Sequence, residues 1–319
     1  MPLVLVPDFV MEELSHAAAR VAPEIELAPF SEDSPAVERL ADAEAVIRWY
    51  GGRRYSDLVE HGHRVRWLHT FSAGVDHVLT PAVRAKPNLV VTDSGPAFGP
   101  AISEFVLAWM LMVARRLPEL LDRQHKHQWE WVKQRELCGA TVGIIGLGPI
   151  GSAVAARSKA FGMRVLGLRR SAGAVEHVDE VLTGPTGLER LVAESDYIVM
   201  AAALTAETRG LIGRREISRM RHDAWIINIG RGAAIDEPAL TEALRDGRIG
   251  GACLDVFAEE PLPHESPLWD LPNVFVSPHN SSGGTDGLYR RSMEIVVENM
   301  RRFTAGEPLD NIVDIARGY

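Results

Sequence analysis

The chain has 319 residues, of which 46% are hydrophobic and 24% are charged, as is typical of soluble globular proteins. This composition excludes a disordered chain, a collagen and a coiled coil, and the length predicts about two domains. With a formal net charge of −9 at pH 7, the chain lacks the basic character of nucleic-acid-binding proteins, so we expect no nucleic-acid partner.

The sequence carries no segment that indicates export or membrane insertion. The apolar run at residues 3–6 is too short for a signal peptide, and no stretch of about 18 uncharged apolar residues occurs. Cys138 and Cys253 are too few for a disulfide framework or a four-cysteine zinc site, so each is interpreted as a small buried hydrophobic residue or an incidental thiol. We expect a cytoplasmic protein without a membrane partner or a metal.

Short apolar runs alternate with helical patterns along the first third of the chain. A helix is predicted over residues 11–20, and strands are predicted at residues 3–6, 45–47, 67–70 and 89–91. These strands are continuously apolar rather than alternating, which is typical of parallel strands buried on both faces.

A long helix is predicted to join this region to the next. Apolar residues recur at helical spacing over residues 100–123, namely Ile102, Phe105, Val106, Met110 and Val113. The preceding segment, residues 92–99, is rich in turn-forming residues, so we place a domain boundary there.

The second series of apolar runs has about the number of strands found in a complete dinucleotide-binding sheet, which is roughly six. These runs are residues 141–145, 164–168, 197–200, 225–229, 252–256 and 274–277. A final helix is predicted over residues 286–304, and the tail, residues 308–315, is predicted to return and pack on the first domain.

A glycine-rich turn follows the strand at residues 141–145 and begins a helix predicted over residues 149–161. In the G-x-G-x-x-G spacing the first glycine allows a tight turn, the second lets a pyrophosphate approach the backbone, and the third lets the helix pack closely. The helix N-terminus offers N–H groups to phosphates, and a proline suits its first turn. We predict dinucleotide contacts at Gly146, Gly148, Pro149, Ile150 and Gly151; the alternative is a glycine-rich turn without a ligand.

The end of the next strand predicts which dinucleotide binds. NAD-binding versions carry an acidic side chain there for the ribose 2′-OH, whereas this sequence has Arg169, Arg170 and Ser171. Guanidinium groups bind a 2′-phosphate through charge-assisted hydrogen bonds, which a carboxylate would oppose. We therefore predict that NADPH is preferred over NADH; the alternative is that both arginines are solvated surface residues.

Three polar residues, Arg231, Glu260 and His279, follow predicted strands of the second series. Ligands of open parallel sheets bind beyond the carboxyl ends of the strands, so we expect the three to converge there. A cation for a substrate carboxylate, a histidine that transfers a proton and a carboxylate beside it are the groups needed to reduce a 2-keto acid. Taken singly, the histidine could be a loop residue and the arginine a surface residue. The carboxylate beside the histidine could be Glu259 or Glu260, and the Glu-Pro-Leu context favours Glu260.

With these segments the chain resembles the D-isomer-specific 2-hydroxyacid dehydrogenase family over essentially its whole length. Further matching segments are Ser72-Ala-Gly74-Val-Asp76, Ile102-Ser-Glu104 and Leu204-Thr-Ala-Glu-Thr208. The resemblance implies an α/β fold of two doubly wound parallel-sheet domains. A Rossmann dinucleotide-binding domain, residues 100–285, would be inserted into a flavodoxin-like substrate-binding domain, residues 1–99 and 286–319.

The resemblance also implies a homodimer, with each site in an interdomain cleft, and roles for the site residues. His279 would be the acid/base, Glu260 its partner and Arg231 the substrate anchor. The residues implied to bind the substrate are Arg231, His279 and, through their backbone N–H groups, Ala73, Gly74 and Val75. The remaining predicted cofactor contacts are Ala203, Thr208, Ile229, Arg231, Asp255 and His279, with Asp255 helping to place the nicotinamide or, alternatively, capping a strand end.

Three departures from the family pattern bear on this prediction. Arg169 replaces an acidic residue, Ala203 stands where proline is common, and the residues after His279, Asn280-Ser-Ser282, are more polar than usual. We predict an oxidoreductase that transfers a hydride between NADP(H) and a small 2-keto or D-2-hydroxy acid, with glyoxylate and hydroxypyruvate as first substrates. The alternatives are an NAD(P)H-sensing, corepressor-like binding protein and an NAD-linked dehydrogenase of bulkier 2-keto acids.

Several other residues are weaker candidates. Pocket formation and ordinary packing are equally expected for Arg48, Trp49, Tyr50 and the Gly51-Gly52 turn. Trp129 and Trp131 are interpreted as core residues or dimer anchors, and Asn228 is expected to shape its loop. The remaining histidines considered are interpreted as loop or surface residues: His61, His63, His69, His125 and His127.

Overall fold

The computed structural model describes residues 1–32, 34, 37–49 and 55–319. The chain divides into two compact units, Met1–Phe98 with Gly284–Tyr319, and Gly99–Gly283. The unit bounds, after residues 98 and 283, lie next to the boundaries expected from the sequence, after residues 99 and 285.

A five-stranded sheet in the order β2-β1-β3-β4-β5 forms the first unit, and its strand pairs are parallel. This is the flavodoxin-like doubly wound order, which confirms the predicted fold class. The elements are β1 (Leu3–Pro7), α1 (Met11–Val21), β2 (Glu26–Phe30), β3 (Ala45–Arg48), α2 (Tyr55–His61), β4 (Trp67–Thr70), α3 (Pro81–Ala85) and β5 (Val90–Asp93). The sequence prediction missed β2, an edge strand that begins at the exposed Glu26 and whose apolar run is interrupted by the exposed Pro29.

Two helices replace the single helix predicted over residues 100–123. They are α4 (Gly95–Ala114) and α5 (Leu117–His125), and Arg116 between them has a left-handed φ of 50°. Helix α4 begins inside the predicted turn segment because the Asp93 carboxylate accepts a hydrogen bond from the Gly95 N–H at 2.8 Å. By length and composition α4 resembles a membrane span, but 56% of its apolar window is buried, as in the core helix of a soluble protein.

A seven-stranded parallel sheet in the order β12-β11-β10-β9-β6-β7-β8 forms the second unit. The elements are β6 (Thr141–Ile145), α6 (Pro149–Ala160), β7 (Arg164–Leu168), β8 (Glu180–Leu182), α7 (Gly184–Glu194), β9 (Tyr197–Met200), α8 (Arg214–Arg219), β10 (Trp225–Asn228), α9 (Glu237–Arg245), β11 (Gly251–Leu254) and β12 (Val274–Val276). The prediction missed β8, which has three residues and lies at the sheet edge. The last three predicted strands extend one or two residues beyond the observed ends.

Helix α10 (Asp286–Ala305) returns the chain to the first unit. Val313 in the tail donates its N–H to Val91 O at 2.8 Å and joins the core beside β5. The predicted packing of the tail on the first domain is therefore confirmed. In β1, Leu3 and Leu5 face one core cluster and Val4 and Val6 the other, as expected for a strand covered on both faces.

The structure corrects the interpretation of His69, which is fully buried in β4 rather than a loop or surface residue. Its position within a strand covered on both faces leaves no solvent-facing side. The other four histidines of that group are exposed, as predicted.

Trp129 and Trp131 are exposed and therefore are not core residues, since they lie in the irregular segment after α5. Arg48 is buried in an ion pair with Glu32, and Trp49 packs on Phe71 with ring centroids 4.5 Å apart. Tyr50 and the Gly51-Gly52 turn lie outside the described residues. Both cysteines are free, with Cys253 buried and Cys138 exposed.

Candidate active site

Strands β10, β11 and β12 are neighbours whose carboxyl ends bring three loops side by side. Leu254 is in register with Asn228 on one side and with Val276 on the other. The pairing continues past the strand ends, because the Asp255 N–H donates to Asn228 O at 3.0 Å and the Ser277 N–H donates to Leu254 O at 2.9 Å. The segments that carry Arg231, Glu260 and His279 therefore begin at one edge of the sheet.

His279 and Glu260 are in direct contact. The Nδ1 atom of His279 lies 2.8 Å from Glu260 Oε2, and the other carboxylate oxygen accepts the Phe257 N–H at 3.0 Å. The His279 and Glu260 side chains are 52% and 36% exposed, so the pair is open to solvent. Glu260, rather than the adjacent and exposed Glu259, makes this contact with the histidine.

A buried carboxylate holds the loop that carries His279. Asp255 is fully buried and accepts hydrogen bonds from the N–H groups of Asn280 at 2.7 Å and Ser281 at 2.9 Å. It also accepts from the Ser277 hydroxyl, and its backbone oxygen accepts the His279 N–H at 2.9 Å. His279 itself has a left-handed φ of 51°, a conformation that persists only where the surroundings enforce it. Asp255 therefore holds this loop in place, which corresponds to the alternative role of capping a strand end.

The turn at Arg231 is shaped by Asn228, as expected. The Asn228 side chain accepts the Gly230 N–H and donates to Arg231 O, both at 3.1 Å, and the Arg231 guanidinium donates to Gly230 O at 2.9 Å. A Cβ on Gly232 would lie 1.8 Å from the backbone carbon of Phe257. The Arg231 turn therefore packs against the same backbone that donates to Glu260.

The glycine turn after β6 has the features that a bound pyrophosphate requires. Gly146 has a φ of +95°, and a Cβ there would lie 2.7 Å from the backbone of Ala202. A Cβ on Gly151 would lie 1.9 Å from Gly146 O, whereas one on Gly148 would meet no atom within 4 Å. The first and third glycines are thus required by packing. The second, Gly148, leaves open space at the N-terminus of α6. These residues fit a dinucleotide phosphate.

The loops after β7 and β9 flank this turn, because β6 lies between those two strands. Arg169 and Arg170 are exposed after β7, and Arg169 Nη2 lies 3.1 Å from Ser171 Oγ. Arg170 Nη2 lies 2.7 Å from Glu207 Oε2 in the loop after β9. The sequence analysis names both Arg170 and the segment that contains Glu207, but it does not predict this ion pair, since the two residues lie far apart in the chain.

The remaining predicted cofactor residues lie in or beside the loop after β9. The Thr208 hydroxyl donates to Ala203 O at 2.6 Å, which closes the turn between them. Ile229, at the end of β10, is buried and donates its N–H to Met200 O at 3.2 Å.

The predicted carboxylate-binding segment lies in the first unit. Ala73 and Gly74 are partly exposed and Val75 is buried. The Ser72 hydroxyl donates to Gly74 O at 2.9 Å, which fixes the turn. The role of these N–H groups stays a prediction. Across the described residues, no group of three or more histidine, cysteine or acidic side chains is placed to hold a metal ion.

Comparison with known proteins shows which family the chain resembles. The family model described as D-isomer specific 2-hydroxyacid dehydrogenase, NAD binding domain, matches residues 107–281. The chain is 38% identical to glyoxylate/hydroxypyruvate reductase B of Pectobacterium carotovorum subsp. carotovorum, with 88% of each chain covered. It is 32% identical to D-3-phosphoglycerate dehydrogenase of Methanocaldococcus jannaschii over 99% of its own length but spans only 60% of that relative.

A solved structure resembles the whole chain. The NADPH-dependent glyoxylate/hydroxypyruvate reductase of Sinorhizobium meliloti, in complex with NADP and sulfate, is 30% identical, with a TM-score of 0.84 and complete coverage of both chains. These similarities, together with the dinucleotide turn, show that the chain belongs to the D-isomer-specific 2-hydroxyacid dehydrogenase family.

Proposed function

We propose that the chain is an NADPH-preferring dehydrogenase that reduces small 2-keto acids to D-2-hydroxy acids. The observation that carries this proposal is the 2.8 Å contact between His279 Nδ1 and Glu260 Oε2 at the carboxyl edge of the sheet, beside the Arg231 turn. The names of the Pectobacterium and Sinorhizobium relatives support glyoxylate and hydroxypyruvate as the first substrates to test.

The proposed chemistry uses both nitrogens of the His279 ring. When a 2-keto acid is reduced, its carbonyl carbon gains a hydride and its oxygen gains a proton. A bound nicotinamide supplies the hydride. Because Nδ1 is held by Glu260, Nε2 of the imidazolium donates the proton and leaves His279 neutral; in the reverse direction Nε2 accepts it. The Glu260 carboxylate orients the ring and stabilises its positive charge.

The substrate carboxylate is assigned to cationic and N–H donors. Arg231 would bind it through the fork of its guanidinium and polarise the neighbouring carbonyl. The N–H groups of Ala73, Gly74 and Val75 are the second proposed set of donors, and they are supported only by the family resemblance.

The cofactor assignment rests on the glycine turn and the arginines after β7. The turn at Gly146–Gly151 would hold the pyrophosphate, and Arg169 with Ser171 would bind the 2′-phosphate. Exposed guanidinium groups at the end of β7 support NADPH, since an acidic residue would be needed there for the ribose of NADH. The other proposed contacts are Ala203, Thr208, Ile229 and Asp255.

A panel of 2-keto acids with NADPH and NADH tests the proposal, with turnover followed by the absorbance of the reduced nicotinamide. We expect turnover of small 2-keto acids and a higher kcat/KM for NADPH. Binding of either cofactor without turnover of any substrate would favour the sensing protein, and a higher kcat/KM for NADH with bulkier acids would favour the NAD-linked alternative. Either result would overturn the proposal.

We also propose that the protein is a cytoplasmic homodimer. Trp129 and Trp131 are exposed, and together with Leu120 and Val132 they line a groove of about 900 Å³ next to α5. Exposed apolar surface of this kind marks interaction sites. Light scattering coupled to gel filtration should give twice the chain mass of 35.0 kDa, and a monomer would contradict the proposal.

A further inference from the structure

The loop after β9 places a carboxylate directly against the arginines after β7. Glu207 Oε2 lies 2.7 Å from Arg170 Nη2, and the side chains of Glu207 and Arg170 are 73% and 45% exposed. Arg169, one residue earlier, lies 3.1 Å from Ser171 Oγ instead. The two arginines therefore differ, since Arg170 is in an ion pair with a carboxylate and Arg169 contacts a neutral hydroxyl.

Glu207 is held in this position by its own turn. Its N–H donates to Thr205 Oγ1 at 3.2 Å, and the Thr205 N–H donates to Thr208 Oγ1 at 2.8 Å. The Thr208 hydroxyl in turn donates to Ala203 O at 2.6 Å. The backbone of the turn is therefore fixed by hydrogen bonds, which places Glu207 opposite the end of β7.

We propose that Glu207 is a specificity-determining residue that limits the preference for NADPH over NADH. Its carboxylate neutralises Arg170 and competes with a 2′-phosphate for the same guanidinium. A phosphate monoester carries a charge of about −1.5 to −2 at neutral pH, so the nearby carboxylate repels it, whereas the uncharged 2′-OH of NADH is little affected. This inference rests on the proposed function, because it requires the segment Arg169–Ser171 to face the 2′-phosphate.

The sign of the effect separates this role from a supporting one. If Glu207 only orients Arg170 toward the phosphate, its removal weakens NADPH binding. If it competes with the phosphate, its removal strengthens NADPH binding and leaves NADH binding nearly unchanged. The competition is electrostatic between exposed groups, so the gain must shrink as salt screens the charges.

The experiment measures the dissociation constants of NADPH and NADH for the full chain and for Glu207→Gln by nicotinamide fluorescence, which needs no turnover. We expect NADPH affinity to rise about three- to tenfold at low salt, with a smaller gain at high salt. The control is Glu242→Gln, which changes the net charge equally and removes exposed ion pairs of similar length, 2.7 Å to Arg214 and 2.8 Å to Arg248. NADPH affinity that is unchanged or reduced in Glu207→Gln, or raised equally in Glu242→Gln, would overturn the inference.

A third variant separates this inference from the proposed function. Arg169→Ala should lower NADPH affinity and spare NADH. If Arg169→Ala leaves the ratio of the two affinities unchanged, the NADPH assignment itself fails, and the inference fails with it. If Arg169→Ala lowers the ratio but Glu207→Gln does not raise it, only the role of Glu207 is refuted.

Discussion

Two histidines of this chain occupy opposite environments at parallel strands of the two units. The His279 side chain, after β12, is half exposed and contacts the Glu260 carboxylate. His69, within β4, is fully buried, and its ring nitrogens lie 2.8 Å and 3.2 Å from the hydroxyls of Thr92 and Ser94. Burial lowers the pKa of His69 to about 3. The same side chain thus has a carboxylate and solvent at the site to which we assign proton transfer, and only hydroxyls in the core, where burial favours its neutral form.

The backbone conformation also differs between the two histidines. His69 is part of a regular strand, paired with Ile47 and Thr92. His279 has a left-handed φ of 51° in a loop held by the buried Asp255. Unfavourable backbone conformations of this kind cost on the order of 1–3 kcal/mol and are found at functional sites. His127 and His177 also have a left-handed φ, of 56° and 63°, so it is the buried Asp255, which accepts hydrogen bonds from the loop, that sets His279 apart.

Replacing each histidine by glutamine should give the largest contrast. His279→Gln removes the proposed proton donor, so we expect kcat to fall about a thousandfold, while the dissociation constant of NADPH stays near the wild-type value. His69→Gln should leave kcat nearly unchanged, because it removes a group that the reaction does not use. Steady-state kinetics and fluorescence titration measure both effects. Retained turnover in His279→Gln, or an equal loss in His69→Gln, would break the comparison.

The acid stability of the protein should report on His69. Its pKa is about 3 in the folded chain against an ordinary value of 6.5, so between these values the unfolded state binds more protons. The stability contributed by neutral His69 is present above pH 6.5 and is lost as pH falls toward 3. Between pH 6.5 and 4 the loss is about 3 kcal/mol of unfolding free energy. His69→Gln should remove this loss.

A half-buried carboxyl in the same unit acts in the opposite direction. Burial raises the pKa of Asp93 from 3.8 to about 6, so its stabilising contribution is lost as pH rises through 6. Urea unfolding of wild type and His69→Gln at each pH cancels this contribution, because both proteins contain Asp93. If the two stability curves run parallel from pH 6.5 to 4, the buried neutral state of His69 is refuted.

The contrast between the histidines also shows what the sequence can predict. His279 and Glu260 were found because each follows an apolar run, and the ends of parallel strands share one edge of a sheet. His69 was misjudged because its partners, Thr92 and Ser94, lie on and just after the neighbouring strand. Strand neighbours of this kind are not visible in residue spacing.

The same limit explains two other differences from the prediction. The edge strands β2 and β8 each begin with a glutamate, and β2 contains a proline while β8 has only three residues, so they lack the apolar run that marks a central strand. The Arg170–Glu207 ion pair joins loops after different strands, and only the order of strands in the sheet brings them together.

A smaller effect is expected from Asp255→Asn, which tests how His279 is held. This substitution replaces one accepting oxygen by an NH2 group. The NH2 group would face either the Ser277 hydroxyl and the Asn280 N–H, or the Ser281 N–H. Losing one such buried bond costs about 1–3 kcal/mol. We expect a loss of that size in unfolding free energy and a lower kcat, measured by urea unfolding and kinetics. Ser277→Ala, which removes only one donor, should have the smaller effect; the reverse order would contradict the role of Asp255.

The smallest expected effect separates the two adjacent glutamates. Glu260→Gln keeps an oxygen that accepts from His279 Nδ1 but loses the charge that stabilises the imidazolium. A hydrogen bond to a charged acceptor is stronger than one to a neutral acceptor by about 1–2 kcal/mol, so kcat/KM should fall about tenfold. Glu259→Gln makes the same change of net charge one residue away, on an exposed side chain, and should leave kcat/KM near the wild-type value. Because the two variants share charge, size and turn, any difference between them reports the two contacts of Glu260, one with His279 and one with the Phe257 N–H. Equal losses would mean that the electrostatic potential of the turn, rather than these contacts, supports the reaction.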